Sequence, residues 1–175
     1  MAHLAGSRST VEFGPGQPLL LINGQLRIYD QDTDVLRQLK RENVAPLVQL
    51  AWEGAERGCQ VVDILLDHFE LDEVELLPQV VRAVDQALGC PLSIDSRNPA
   101  AIERALENYA GKALLNSIIY EAEVLDQLIP LVTRYNMAVV AMLVDDVRIP
   151  ETWQERLILA KKNCADNRCR RNITR

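Results

Sequence analysis

The stretch Pro91-Leu92-Ser93-Ile94-Asp95-Ser96-Arg97-Asn98-Pro99 carries the two signals that decide the fold. Its first half is a short apolar run ending on a carboxylate, which is typical of a buried strand. Its second half places asparagine before proline, a specific signal for the start of a helix. Two more apolar runs end on a polar residue and precede a helix-like segment: Val61-Val62-Asp63-Ile64-Leu65 and Ala113-Leu114-Leu115-Asn116-Ser117.

The same alternation extends over most of the chain and predicts five strand–helix units. Strands are expected at 18–22, 61–66, 91–94, 113–115 and 137–144. Helices are expected at 34–57, 72–88, 98–111, 121–135 and 153–163, with Pro46 marking a break or a second helix start. Continuous apolar strands are covered on both faces, which indicates a parallel sheet with right-handed crossovers. An open doubly wound sheet and the first part of an eight-unit (β/α)8 barrel both fit, and spacing alone does not choose between them.

The two ends of the chain differ from this pattern. Residues 1–17 are small, polar and rich in glycine and proline, and we expect a flexible N-terminal arm before a domain at 18–163. After Lys162 the apolar periodicity stops, and 164–175 reads as a basic irregular tail. A natural tail and a truncated or frame-shifted chain are both consistent with this ending. The abrupt loss of pattern favours truncation, with only the first five units of a barrel present.

Composition describes an ordinary globular protein. The 175 residues are 48% hydrophobic and 25% charged, with a formal net charge of −6. That acidic balance argues against nucleic-acid binding, because a broad basic face is absent. No segment has the length of a membrane span or the pattern of a signal peptide, so we expect a cytoplasmic protein. Cys164 and Cys169 lack a nearby histidine, and His68 lies in a short acidic loop, so no metal site is predicted.

The candidate site residues are the polar groups at the strand ends. In a parallel sheet these ends converge on one rim, so Asp95 and Asn116 are expected to face a common small molecule. A carboxylate beside a carboxamide offers two acceptors and a donor, which suits the amide and amine edge of a heterocycle. Helix capping by Asp95 and a turn role for Asn116 are the structural alternatives. Asp63 and Asp145 are further candidates, against the alternatives of a solvated rim charge and a solvated loop.

These segments resemble the pterin-binding (β/α)8 barrels. The resemblance is carried by 91–96, by Asn98-Pro99-Ala100-Ala101-Ile102-Glu103 and by 111–118, and it extends in order from about Pro18 to Lys162. Gly54-Ala55 before the second strand and Ile149-Pro150-Glu151-Thr152 after the fifth add to it. The chain is most similar to the methyltetrahydrofolate:corrinoid methyltransferases and the folate module of cobalamin-dependent methionine synthase, and more distantly to dihydropteroate synthase.

The resemblance implies a methyltransferase of one-carbon metabolism. It implies that the N5 methyl group of methyltetrahydrofolate, or of a related reduced pterin, is transferred to the cobalt of a corrinoid (cobalamin) on a partner protein. By position, Asp95 and Asn116 match family residues that hydrogen-bond the pterin, Asp63 matches the acidic end of the second strand, and Asp145 falls in a polar rim loop. Where the family has Glu-Arg-Ile-Asn at the end of the first strand, this chain reads Ile22-Asn23-Gly24-Gln25-Leu26-Arg27. The alternatives are a dihydropteroate synthase-like enzyme or a non-catalytic pterin-binding module, in which a homodimer could cover the open sheet edge.

Overall fold

The computed structural model describes residues 2–28, 33–119, 121–144 and 149–165. Seven strands are present in this part of the chain: β1 (Ala2–Ala5), β2 (Thr10–Phe13), β3 (Ile22–Arg27), β4 (Val61–Leu65), β5 (Leu92–Ile94), β6 (Leu114–Ile118) and β7 (Ala138–Ala141). The helices are α1 (Thr33–Leu39), α2 (Ala45–Glu56), α3 (Glu73–Leu88), α4 (Pro99–Leu106), α5 (Ala122–Arg134) and α6 (Trp153–Ala165).

The central sheet is parallel and five-stranded, in the order β3-β4-β5-β6-β7. Each strand therefore pairs with the next one along the chain, and the order never reverses. Right-handed crossovers in one constant direction place every helix on the same face of the sheet. A doubly wound sheet needs a reversal, so the strand order selects the barrel alternative. The chain has an α/β fold, as predicted, and its five parallel strand–helix units are consistent with part of a (β/α)8 barrel.

The main core lies between the sheet and this helical layer. Alternate strand residues such as Val62, Ile64 and Ile94 point into it and are almost fully buried. The residues between them, such as Val61 and Asp63, point to the opposite face, because side chains alternate along a strand. That opposite face is the inner face of the barrel arrangement, and it carries the polar residues of the strand ends.

The N-terminal segment is a β-hairpin, so the prediction of a flexible arm is wrong for these residues. Strands β1 and β2 pair antiparallel, and Leu4 is 0% exposed. Its side chain packs with Val61 and Leu114, near the starts of β4 and β6. The backbones of Ala5 and Lys112 exchange hydrogen bonds of 3.1 and 2.7 Å. The hairpin thereby covers the inner face at the end opposite the carboxyl ends of the strands.

The first strand of the parallel sheet starts later than predicted. The apolar run 18–22 suggested a strand, but Leu19 is 81% exposed and the ladder with β4 begins only where Ile22 pairs with Val61. The strand continues through Asn23 and Leu26 instead, because Leu26 is the residue that fills the core. The basic tail expected from residue 164 is also corrected in part, since α6 extends to Ala165.

Helix starts follow the predicted signals, whereas α4 ends at Leu106 and not at 111 as predicted. Asn98 caps α4 by accepting from the backbone amides of Ala100 and Ala101 at 3.1 and 3.3 Å, with Pro99 as the first helical residue. Gly89 ends α3 in the left-handed conformation, at φ 63°, which glycine adopts without strain. Pro46 marks a second helix start, because α1 and α2 are separate. Within the described residues, no helix has the length and apolar character that crossing a membrane requires.

Candidate functional site at the carboxyl ends of the strands

Three of the four predicted site residues meet at the carboxyl-end rim of the parallel sheet. Asp63 lies in β4, Asp95 directly follows β5 and Asn116 lies in β6. The pairing of Asp63 with Ser93 places β4 and β5 in register there, and Ser93 pairs in turn with Leu114 of β6. This register brings the polar side chains into one hydrogen-bonded network. The fourth predicted residue, Asp145, lies outside the described residues.

Asp63 is the centre of this network. Its side chain is 4% exposed, and Oδ1 accepts from Ser93 Oγ at 2.6 Å and from Asn116 Nδ2 at 3.2 Å. The other oxygen, Oδ2, accepts from Arg27 Nη2 at 3.1 Å and Nε at 3.3 Å. Both carboxylate oxygens are therefore engaged within the protein. A buried carboxylate with this many donors is an organising group rather than a solvated rim charge, which was the structural alternative for Asp63.

Arg27 connects the two acidic residues and was missed in the sequence. Its Nη2 donates to Asp63 Oδ2 at 3.1 Å and to Asp95 Oδ2 at 2.9 Å. Because guanidinium is planar and carries several donors, one arginine can hold two carboxylates at a fixed separation. A basic residue at the end of a strand could have identified Arg27 in the sequence. The first strand was predicted to end at Ile22, however, so Arg27 was not recognised as a strand-end residue.

A local irregularity in β3 brings Arg27 to the rim. The pairing of β3 with β4 shifts register between Asn23 and Leu26. Asn23 is 3% exposed; its Nδ2 donates to the Leu50 carbonyl at 2.9 Å, and its Oδ1 accepts from the Gln25 amide at 3.0 Å. The bulge is thus fixed to α2. It places Leu26 in the core and Arg27 on the inner face, as a β-bulge does when it redirects a strand.

Asp95 combines a structural contact with an available acceptor. Burial raises the pKa of the Asp95 carboxyl, with a further increase from the nearby charge of Asp63, while Arg27 and Arg97 act in the opposite direction. The α4 cap is Asn98, so Asp95 does not have the capping role considered as its alternative. In the described part of the chain, the donor to the Asp95 carboxylate is Arg27, at Oδ2. Oδ1 can accept a hydrogen bond from a ligand.

Asn116 presents a similar acceptor. Its amide nitrogen donates to Asp63, which fixes the orientation of the carboxamide. With the nitrogen held against Asp63, the Asn116 carbonyl oxygen is left to accept from a ligand. Asp95 and Asn116 are thus held in place by a shared network through Asp63 and Arg27. The rim can bind a neutral ring with N–H donors on one edge.

A cleft of about 310 Å³ opens beside Asp95, between the N-termini of α3 and α4. Glu73, the first residue of α3, lines it together with Asp67, Asp95 and Ser96. Burial raises the pKa of the Glu73 carboxyl, and Asp67 and Asp95 add to the increase, while a hydrogen bond with Ser96 opposes it. Glu73 was not among the predicted site residues, since an acidic residue in a first helical turn ordinarily interacts with the helix dipole alone.

The acidic loop after β4 has a different structure from a metal site. His68 is 8% exposed, its Nδ1 accepts from the Glu70 amide at 3.1 Å, and its ring stacks on Phe69. Among the described residues, no group of three or more histidine, cysteine or acidic side chains could hold a metal ion.

Fold and rim together define a class: a parallel α/β protein with barrel strand order, whose polar site lies at the carboxyl ends of the strands. Residues 32–171 match the pterin-binding enzyme family, and the chain belongs to that family.

The chain is 27% identical over 129 residues to the methylcorrinoid:tetrahydrofolate methyltransferase of Eubacterium limosum, covering 73% of this chain and 48% of that protein. It is 22% identical over 126 residues to the methionine synthase of Mycobacterium tuberculosis (strain ATCC 25618 / H37Rv), covering 69% of this chain and 11% of that protein. The chain thus spans about half the length of the first relative and a small part of the second.

Proposed function

We propose that the rim binds the ring of a reduced folate or related pterin and that the chain transfers a methyl group between N5 of that ring and a corrinoid on a partner protein. The observation that carries the proposal is the network in which Asp63 and Arg27 hold Asp95 and Asn116 as acceptors. A pterin ring has an edge of amide and amine N–H donors that matches two fixed acceptors. Family membership and the names of the two relatives support the same substrate class.

The chemistry requires the residues to bind and orient the ring. N5 is a poor leaving group, so it must gain a hydrogen bond or a proton as the methyl group departs, and a fixed network supplies this most strongly in the transition state. The cobalt of the corrinoid would supply the accepting centre for the methyl group. Asp95 and Asn116 contribute by fixing the ring, and Asp63 and Arg27 contribute by fixing those two side chains.

Calorimetric titration with 5-methyltetrahydrofolate tests the binding step. Removing one buried contact costs about 1–3 kcal/mol, so Asp95→Ala and Asn116→Ala should each weaken binding by about 5–150-fold. Asp34→Asn is the matched control, because Asp34 is exposed and pairs only with Arg37 at 2.8 Å among the described residues. A folded wild-type chain that gives no heat, or an Asp95→Ala variant that binds as tightly as the control, would contradict the proposal.

A non-catalytic pterin-binding module is the second candidate. Ile22 of β3 and Val140 of β7 are 43% and 39% exposed, so the outer strands of the described sheet leave apolar surface uncovered. Pterin binding without methyl transfer to a supplied corrinoid protein would select this candidate. A homodimer that covers these strands is a further proposal, and a monomer in sedimentation would contradict it.

A further inference from the structure

Glu73 is an acidic side chain beside the rim that neither the network nor the helix caps explain. Its Oε1 is sealed from solvent and has no hydrogen-bond partner among the described residues. The cap of α3 is Asp72, whose side chain accepts from the amides of Val74 and Glu75 at 3.0 and 3.3 Å. Glu73 is thus free of a capping role, and an ionised carboxylate with a buried, unpaired oxygen is costly.

The surroundings of Glu73 disfavour its negative charge. Asp67, from the loop after β4, and Asp95, from the end of β5, both face it across the cleft. Ser96, which acts in the opposite direction on the pKa of Glu73, and Arg97 line the same cleft. Three carboxyls line one cleft of about 310 Å³, so the charge of Asp67 and Asp95 adds to the cost of ionising Glu73, whose Oε1 is buried and unpaired.

A ligand ring bound to Asp95 would lie beside this cleft and would further disfavour the charged form of Glu73. It would displace water from Glu73, and its N–H donors would hold Asp95 in the ionised state. Each change favours the neutral form of Glu73. Protonation of Glu73 in turn removes a negative charge from beside Asp95, which keeps Asp95 a good acceptor.

We propose that Glu73 is a positioning residue that takes up a proton from the solvent when a pterin binds to Asp95 beside the cleft, and so keeps Asp95 ionised as the ligand's acceptor. The inference rests on the proposed function, because the ligand is the pterin assigned to the same rim. The proton binds to a Glu73 carboxylate oxygen, the buffer supplies it, and no other bond changes. Glu73 acts through Asp95 and the charge of the cleft.

The test is titration with 5-methyltetrahydrofolate in HEPES and in Tris at one pH, repeated from about pH 6 to about pH 9. The difference in heat between the two buffers gives the number of protons taken up. Wild type should take up more protons than Glu73→Gln, and its affinity should fall more steeply with rising pH than that of Glu73→Gln. Proton uptake by N5 of the ligand is common to both proteins, so the difference between them isolates Glu73.

Glu75→Gln is the matched control, on the same helix two residues away. Glu75 is exposed and forms an ion pair with Arg104 on the surface, so this variant should keep the wild-type proton uptake. Equal proton uptake in Glu73→Gln and wild type would overturn the inference while leaving the proposed function intact. Absence of binding in both wild type and Glu75→Gln would overturn the proposed function and the inference together.

Unfolding by urea from about pH 4 to about pH 8 tests Glu73 without any ligand. Its pKa in the folded protein is raised above the ordinary value of 4.5. Between those two values the folded state holds more protons than the unfolded state, so Glu73 makes stability fall as pH rises through that window. The urea midpoint of Glu73→Gln should therefore increase relative to wild type with rising pH, and that of Glu75→Gln should not. A constant difference between Glu73→Gln and wild type would overturn the inference.

Discussion

At the scale of single residues, Arg27 determines whether the rim is a site or a repulsive cluster. Its guanidinium contacts both Asp63 and Asp95. The Arg27 side chain is 34% exposed, whereas the side chains of Asp63 and Asp95 are 4% and 26% exposed. Asp63 is too buried to be stabilised by water, so its charge depends on protein donors. Two carboxylates at neighbouring strand ends are compatible with folding because this guanidinium lies between them.

Replacement of Arg27 by alanine should lower the free energy of unfolding by about 2–4 kcal/mol, because it leaves the charge of Asp63 buried with only neutral donors. Arg27→Lys should cost less, since the charge remains but the two-carboxylate contact is lost. Urea unfolding measures both. Arg37→Ala, which breaks an exposed pair with Asp34, is the control and should cost less than about 0.5 kcal/mol. Equal stability of Arg27→Ala and Arg37→Ala would show that Arg27 is not the stabilising cation.

At the scale of elements, the contact between β3 and α2 sets the direction of Arg27. Gly54 of α2 lies directly over Asn23, so an added Cβ would collide with Asn23 Nδ2 and Cγ. The close approach lets Asn23 donate to the Leu50 carbonyl and hold the bulge of β3. Glycine is required here by the space available between the helix and the strand.

Gly54→Ala should therefore destabilise the protein by about 1–3 kcal/mol, through displacement of the buried Asn23 side chain. The effect runs against helix propensity, which favours alanine over glycine by about 1 kcal/mol. Gly24→Ala is the control in the same region, because its added Cβ would meet only Arg27 Nε, at 3.9 Å. Urea unfolding measures both variants, and a Gly54→Ala protein more stable than wild type would refute the packing explanation.

At the scale of the whole molecule, the two ends of the inner face have different roles. The carboxyl-end rim is polar and holds the candidate site. The opposite end is covered by the N-terminal hairpin, where Leu4 packs on Val61 and Leu114 and the Tyr109 hydroxyl donates to the Ala5 carbonyl at 3.0 Å. Separation of a stabilising end from a functional end is the general organisation of barrel enzymes.

Leu4→Ala should lower the free energy of unfolding by about 2–5 kcal/mol, because it opens a cavity where the hairpin meets the sheet. His3→Ala is the control on the adjacent, exposed position and should stay within about 0.5 kcal/mol of wild type. Chemical denaturation of the full chain measures both. If Leu4→Ala were as stable as His3→Ala, the hairpin would not contribute to the stability of the domain.

The family's alternation of strands and helices could be predicted because it depends on local patterns. Apolar runs, the Asn98-Pro99 start and the Gly89 stop are readable from neighbouring residues alone. The shared rim of Asp63, Asp95 and Asn116 also followed from sequence, since parallel strands end on the same side.

The sequence by itself thus determined the α/β class and the strand-end positions of the acidic and amide side chains. Only the tertiary structure decided the barrel order of the strands, the bulge that presents Arg27 and the hairpin that buries Leu4. It also decided the burial of Glu73 Oε1. The physical reason is the separation along the chain of the residues that interact. Helix capping and apolar periodicity depend on residues a few positions apart. Strand register, burial and charge pairing depend on distant segments that meet only after folding.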